Sequence, residues 1–197
     1  MFTNNYLKDV VDISERLDCD IIEQVVDLIN TTKQNGGRLF ILGVGGGAGH
    51  ASHAVNDFRK IANIEAYTPT DNVSELTARI NDDGWDSSYL NWLKVSRFSS
   101  NDALFVFSVG GGNKEKNISV NLVQCVEYAN EIGAVTMGVV GKDGGYSKQS
   151  SELVVVIPTI DDSLITPHTE AFQAVVWHLL VSHPLLLQNE MKWESEK

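Results

Sequence analysis

Four short, uninterrupted apolar runs constrain this chain more than any other feature: RLFILG, ALFVFS, AVTMGVV and LVVVIP, beginning at Arg38, Ala103, Ala134 and Leu153. They lack the in-out alternation of a half-exposed strand and suit strands covered on both faces, which means a parallel sheet. Between them lie segments of helical character at 47–60, 73–80, 86–97, 114–131 and 166–183, and IEAYTP at 64–69 reads as a further strand. Upstream, Ile21, Ile22, Val25, Val26, Leu28 and Ile29 repeat at a helical period across 20–35, and Gly36-Gly37 ends the pattern. Strand and helix alternate, so the expected class is α/β: one open, doubly wound parallel sheet of about five strands flanked by helices, with ligands at the strands' carboxyl ends. The 197 residues fit one domain, divided into an N-terminal helical segment (1–36), an α/β core (37–185) and a C-terminal tail (186–197).

A net charge of −11 and a pI near 4.8 argue against a nucleic-acid or anionic-membrane surface, since phosphate backbones demand clustered Lys and Arg. Cys19 and Cys125 stand alone, so neither a disulfide framework nor a cysteine-rich zinc site is indicated, and a reducing cytoplasm is expected. MFTNNYLKDVVD lacks a signal-peptide pattern, and apolar stretches such as FQAVVWHLLV fall short of a bilayer span.

FILGVGGGAGHASHAVNDF, from Phe40 to Phe58, leaves the first apolar run through Gly43, Gly45, Gly46, Gly47 and Gly49 and resumes as a helix. Bare backbone can bring N–H groups against a ligand, and a helix N-terminus adds partial positive charge, so an anion such as phosphate suits this turn. Nicotinamide binding is disfavoured: after Gly43 and Gly45, Ala48 stands where the GxGxxG spacing needs glycine, and no GxxxxGK[ST] is present. A second turn of the same form leaves ALFVFS at Ser108, crosses Gly110, Gly111 and Gly112, and is expected to enter a helix near Asn113. Either turn taken alone is equally well explained as a tight strand-to-helix connection; two at one sheet edge favour an anion site.

His53 and Asp57 are four apart on the helix after the first turn, so they share a face about 6 Å apart and can grip one metal ion or one substrate, unless they are merely a solvated face. His50 lies one turn earlier. Near the other end, Glu170 and His178 interrupt an otherwise apolar helix in TPHTEAFQAVVWHLLVSHP, and His178, amid Val175, Val176, Trp177, Leu179 and Leu180, reads as a core histidine or a group lining a cavity.

Over nearly its full length the chain resembles the phosphoheptose (sedoheptulose 7-phosphate) isomerases of the sugar-isomerase domain family. Where that family has G-N-G-G-S-A and then H-x-x-x-E, this chain has Gly43-Val44-Gly45-Gly46-Gly47-Ala48, then His53 and Asp57. TDNVSELTARINDDGW, from Thr70 to Trp85, is similar to T-D-x-S-x-L-x-A-x-x-N-D-x-G, with one extra residue between Asp71 and Ser74, and retains Thr70, Asp71, Ser74, Leu76, Ala78, Asn81, Asp82 and Gly84. GVVGKDGG at 138–145 is similar to G-L-T-G-x-D-G-G, and TPHTE and HLL place Glu170 and His178 at the family's Gln and His positions.

The resemblance implies a flavodoxin-like five-stranded parallel sheet, a homotetramer with sites between subunits, an N-terminal helix used in that assembly, and aldose–ketose isomerisation of a sugar phosphate through an enediol. It implies Asp57 and His178 as the proton-transfer pair and Gly45, Gly46, Gly47, Asp82, Ser108, Gly110, Asn113 and Glu170 around the substrate. It also implies zinc held by His53, Asp57, Glu170 and His178. Glu170 and His178 are eight apart, about 12 Å along one helix, so reaching a common ion needs a late helix start or a second subunit. The departures are specific. The family's S-T-S-G-N-S is Ser108-Val109-Gly110-Gly111-Gly112-Asn113 here, so hydroxyls expected to grip phosphate are missing. Asp57 is one methylene shorter than the family's Glu, about 1.5 Å of reach, and Glu170 adds a charge where the family has Gln. Retained imidazoles and carboxylates favour an isomerase; lost hydroxyls favour the alternative, a non-catalytic tetrameric adaptor of the same family.

Overall fold

The computed structural model describes residues 1–192 and 196. Helices α1 (Phe2–Arg16) and α2 (Cys19–Gln34) come first, separated at Leu17, whose backbone is extended, and Asp18 caps α2 by accepting from the Ile21 N–H at 3.1 Å. The order then runs β1 (Leu39–Gly43), α3 (Gly46–Lys60), β2 (Ala66–Tyr67), α4 (Val73–Asp83), α5 (Trp85–Val95), β3 (Ala103–Ser108), α6 (Val120–Glu131), β4 (Val135–Val140), α7 (Gly145–Ser150), β5 (Leu153–Val156) and α8 (Ile165–Ser182). Short 3-10 turns at Pro69–Asp71 and Asp162–Leu164 precede α4 and α8.

All five strands are parallel, in the order β2-β1-β3-β4-β5. Both faces are covered, as the unbroken apolar runs require. Leu39, Ile41, Phe105, Phe107, Met137 and Val139 pack beneath α2, α3 and α8, while Phe40, Leu42, Leu104 and Val106 pack against Tyr89, Trp92 and Leu93 of α5 and Leu122, Cys125 and Val126 of α6. The order reverses between β1 and β3, and the two glycine turns leave the carboxyl ends of these two strands, at the crevice where α/β sheets take their ligands.

One expectation needs correction. The helix expected from residue 114 begins at Val120, because Asn113 and Ile118 exchange backbone hydrogen bonds at 2.8 and 2.9 Å and fold the intervening residues into a hairpin. At the start of the C-terminal tail Leu186 is buried, and the Gln188 and Asn189 N–H groups donate to the Ile61 carbonyl beyond the end of α3. Trp193, Glu194, Ser195 and Lys197 of that tail lie outside the described residues.

Candidate functional site

α3 and α8 both start at the carboxyl edge of the sheet and run back along it, so they lie parallel and side by side. Their facing surfaces carry the ionisable groups. The His53 Nε2 is 3.7 Å and the His178 Nε2 3.9 Å from Asp57 Oδ2, and the three ligand atoms all lie within 4.8 Å of one another. Asp57 is 8% exposed as a residue, whereas the His53 and His178 side chains are 57% and 51% exposed. His178 is therefore not a core histidine: the helical period turns Val176, Trp177 and Leu180 inward and Val175, His178 and Leu179 outward.

His178 is held in one orientation. Its Nδ1 lies 2.7 Å from the Ala174 carbonyl, which can only accept, so Nδ1 carries hydrogen and Nε2 is the atom turned towards Asp57. Trp177, buried beneath, has its ring 4.6 Å from that of His53 and stacked at 3.4 Å on that of His178. Two imidazoles and a carboxylate converging beside an open position are a donor set that fits a catalytic zinc.

Glu170 is not in this cluster. Its carboxylate rests against Gly46 at the first residue of α3, where a Cβ would stand 2.5 Å from Oε2, seven residues and about 10 Å along the helix from His53. His50 lies between the two groups. Burial pushes the His50 imidazole below its ordinary value, Glu170 opposes that shift, and His53 and His178 add to it.

The turns themselves are tightly specified. Gly45 has φ 60° and ψ −124°, a conformation closed to other residues. Tyr89 donates its hydroxyl to the Gly43 carbonyl at 2.9 Å, and burial pushes that phenol up to about 12, so it remains a donor. In the second turn, a Cβ on Gly111 would lie 2.5 Å from the Gly144 carbonyl carbon, and Ser147 donates through both N–H and Oγ to the Gly111 carbonyl at 2.8 Å. Close packing onto the β4–α7 loop thus explains part of the glycine run.

Several amides expected to face an anion are engaged elsewhere. Gly47 and Ala48 donate to the Val44 and Gly45 carbonyls, Gly111 to Ser108 Oγ at 3.0 Å, and Asn113 to the Ile118 carbonyl, while Asn113 Oδ1 accepts from Lys116. Among the described residues, the N–H groups of Gly45, Gly46, Gly110 and Gly112 make no hydrogen bond. Ser108 is an acceptor within its own turn, so its hydroxyl hydrogen is left for a ligand. Asp82 stands exposed on α4, accepting from Asn81 Nδ2 at 2.7 Å, apart from the His–Asp–His group. In the same segment the motif residue Asp71 accepts from Ser52 of α3 at 2.5 Å and its neighbour Asn72 caps α4, so both act in the architecture. Asn56 and Trp177 were not legible as site residues: one is a polar neighbour of Asp57, the other one apolar residue among many.

A doubly wound sheet with glycine turns at its switch point and a His–Asp–His group on the adjoining helix pair defines an α/β domain built to bind a small ligand. The chain belongs to the SIS domain family, whose model matches residues 5–141. It is 30% identical over 190 residues to a lincomycin biosynthesis protein of Streptomyces lincolnensis, covering 91% of this chain and 67% of that protein. It is 26% identical over 166 residues to a phosphoheptose isomerase of Helicobacter pylori strain P12, covering 82% of this chain and 81% of the relative. In fold it matches a phosphoheptose isomerase from Francisella tularensis with a TM-score of 0.78 at 19% identity, over 91% of this chain and 94% of the other.

Proposed function

We propose that the chain is a sugar-phosphate aldose–ketose isomerase of the phosphoheptose isomerase type, acting on sedoheptulose 7-phosphate or a related sugar phosphate. The observation that carries this reading is the convergence of His53, Asp57 and His178, from two helices, beside the turns of an SIS domain. An adaptor has no use for an exposed donor set held in register by a backbone carbonyl and a tryptophan.

Moving a carbonyl between C2 and C1 requires a base to take a proton from carbon, an acid to protonate oxygen, and stabilisation of the intervening enediol. Asp57 and His178 are the proton-transfer groups. The Asp57 carboxylate takes the proton from carbon, and His178 moves one at oxygen through Nε2. With zinc bound, His53, Asp57 and His178 would serve as its ligands, the His178 Nε2 then holding the metal in place of moving a proton, and the zinc would supply Lewis-acid polarisation of the carbonyl. Glu170, set apart at Gly46, accepts from sugar hydroxyls rather than completing the metal set. The phosphate is held by the free N–H groups of Gly110 and Gly112 with the Ser108 hydroxyl, because the Glu170 carboxylate disfavours a second anion at Gly45 and Gly46.

A homotetramer fits the exposed apolar side chains: Phe2, Leu7 and Val11 on α1 are 70%, 58% and 54% exposed, and Val175 and Leu179 flank His178 on the outer face of α8. No helix among the described residues is long and apolar enough to cross a membrane, in keeping with a cytoplasmic enzyme. The test is conversion of sedoheptulose 7-phosphate by the purified chain, with and without added zinc, followed by solvent deuterium entering the product carbon. Turnover that survives chelation assigns His178 to proton transfer, and turnover lost on chelation assigns it to the metal. No turnover in either condition refutes the reading.

A further inference from the structure

The use of the cluster depends on where the Asp57 carboxylate points, and one neighbour fixes that. Asn56 Nδ2 donates to Asp57 Oδ1 at 2.7 Å, while Oδ2 faces the His53 and His178 Nε2 atoms at 3.7 and 3.9 Å. The two oxygens of a carboxylate are equivalent and its terminal torsion is broad, so tying one oxygen to an amide selects the other for presentation. Among the described residues, Asn56 is the one hydrogen-bond donor to the Asp57 side chain. Asn56 itself is exposed, so packing does not call for it, and asparagine is a poor choice in mid-helix because its side chain competes with the helical backbone.

We propose that Asn56 is a positioning residue: its amide holds the Asp57 carboxylate in the rotamer that turns Oδ2 towards the two imidazoles. This rests on reading the cluster as the zinc and proton-transfer site. The short side chain of Asp57 has no further torsion with which to correct its aim, so the amide decides whether three ligand atoms meet or two.

The experiment compares the full-length chain with Asn56→Ala and Asn56→Leu, the second keeping the approximate shape without the donor. Zinc affinity is read by competition with a chromophoric chelator, kcat and KM by steady-state isomerisation, and folding by the thermal midpoint. Zinc affinity and kcat should each fall about 10- to 100-fold, as for loss of a partner that orients a metal ligand. KM should stay unchanged, and the midpoint of Asn56→Ala should stay level or rise. Variants within about twofold of the parent in both affinity and kcat overturn the proposal, as does a loss of kcat accompanied by a matching loss of thermal midpoint. A parent chain that neither holds zinc nor turns over overturns the underlying reading, and the proposal with it; that outcome is distinguished by appearing before any substitution is made.

Discussion

Gly46→Ala separates the architecture of α3 from the chemistry beside it. Gly46 is not among the glycines with positive φ, so alanine is conformationally free to replace it, and by restricting the unfolded chain it adds about 0.4–1 kcal/mol of stability. The new Cβ, however, would lie 2.5 Å from Glu170 Oε2, where ordinary heavy-atom contact begins at about 3.5 Å. The carboxylate must retreat by about 1 Å. Glu170 is half-buried and its tip is flexible, so the retreat costs little stability, but a misplacement of about 1 Å in a reacting site costs about 100-fold in rate. The expected result is a urea midpoint unchanged or raised, with kcat/KM on sedoheptulose 7-phosphate lowered by about two powers of ten. Gly45→Ala is the matched control. Nothing lies within 4 Å of its Cβ position, yet its backbone conformation excludes alanine, so it should lose about 1–3 kcal/mol through strain alone. A Gly46→Ala enzyme with kcat/KM within twofold of the parent would refute the placement of Glu170 at the substrate.

Asp57→Asn and His178→Ala should each lower turnover by about two to four powers of ten in steady-state assays, with much smaller losses of stability. Ser108→Ala leaves the Gly111 N–H without its acceptor and should cost about 1–3 kcal/mol in urea unfolding; an unchanged midpoint would mean that packing on the β4–α7 loop holds the turn by itself. Because burial depresses the His50 imidazole, the unfolded chain binds the proton more readily than the folded one. The contribution of His50 to stability is present above the ordinary value of 6.5 and is lost as pH falls through the depressed folded value. Thermal melts of His50→Gln should show a flatter pH dependence across that window. Light scattering should report a tetramer, and Val11→Glu, which charges the exposed face of α1, should dissociate it.

The class of fold was legible in the order of residues alone. The apolar runs from Arg38, Ala103, Ala134 and Leu153 can be satisfied only by burial on both faces, and each became a strand within a residue or two of its expected limits. That order also determined that His53 and Asp57 share a face, since a four-residue separation on a helix leaves no alternative. What the sequence left open were the relations between segments distant in the chain. Whether His178 met Asp57, and whether Glu170 joined them, depended on how far α8 is shifted along α3, and that register is set by Phe172, Val176, Trp177 and Leu180 packing beneath both helices. The same limit hid the purpose of Gly111, because nothing local announces that the Gly144 carbonyl will lie against it. It also hid Asn56, whose identity is plain in the sequence but whose amide matters only because the rotamer of a single carboxylate is fixed in the folded protein. Periodicity records which face a residue occupies; which residue faces it across the interface is decided by the packing of the whole core.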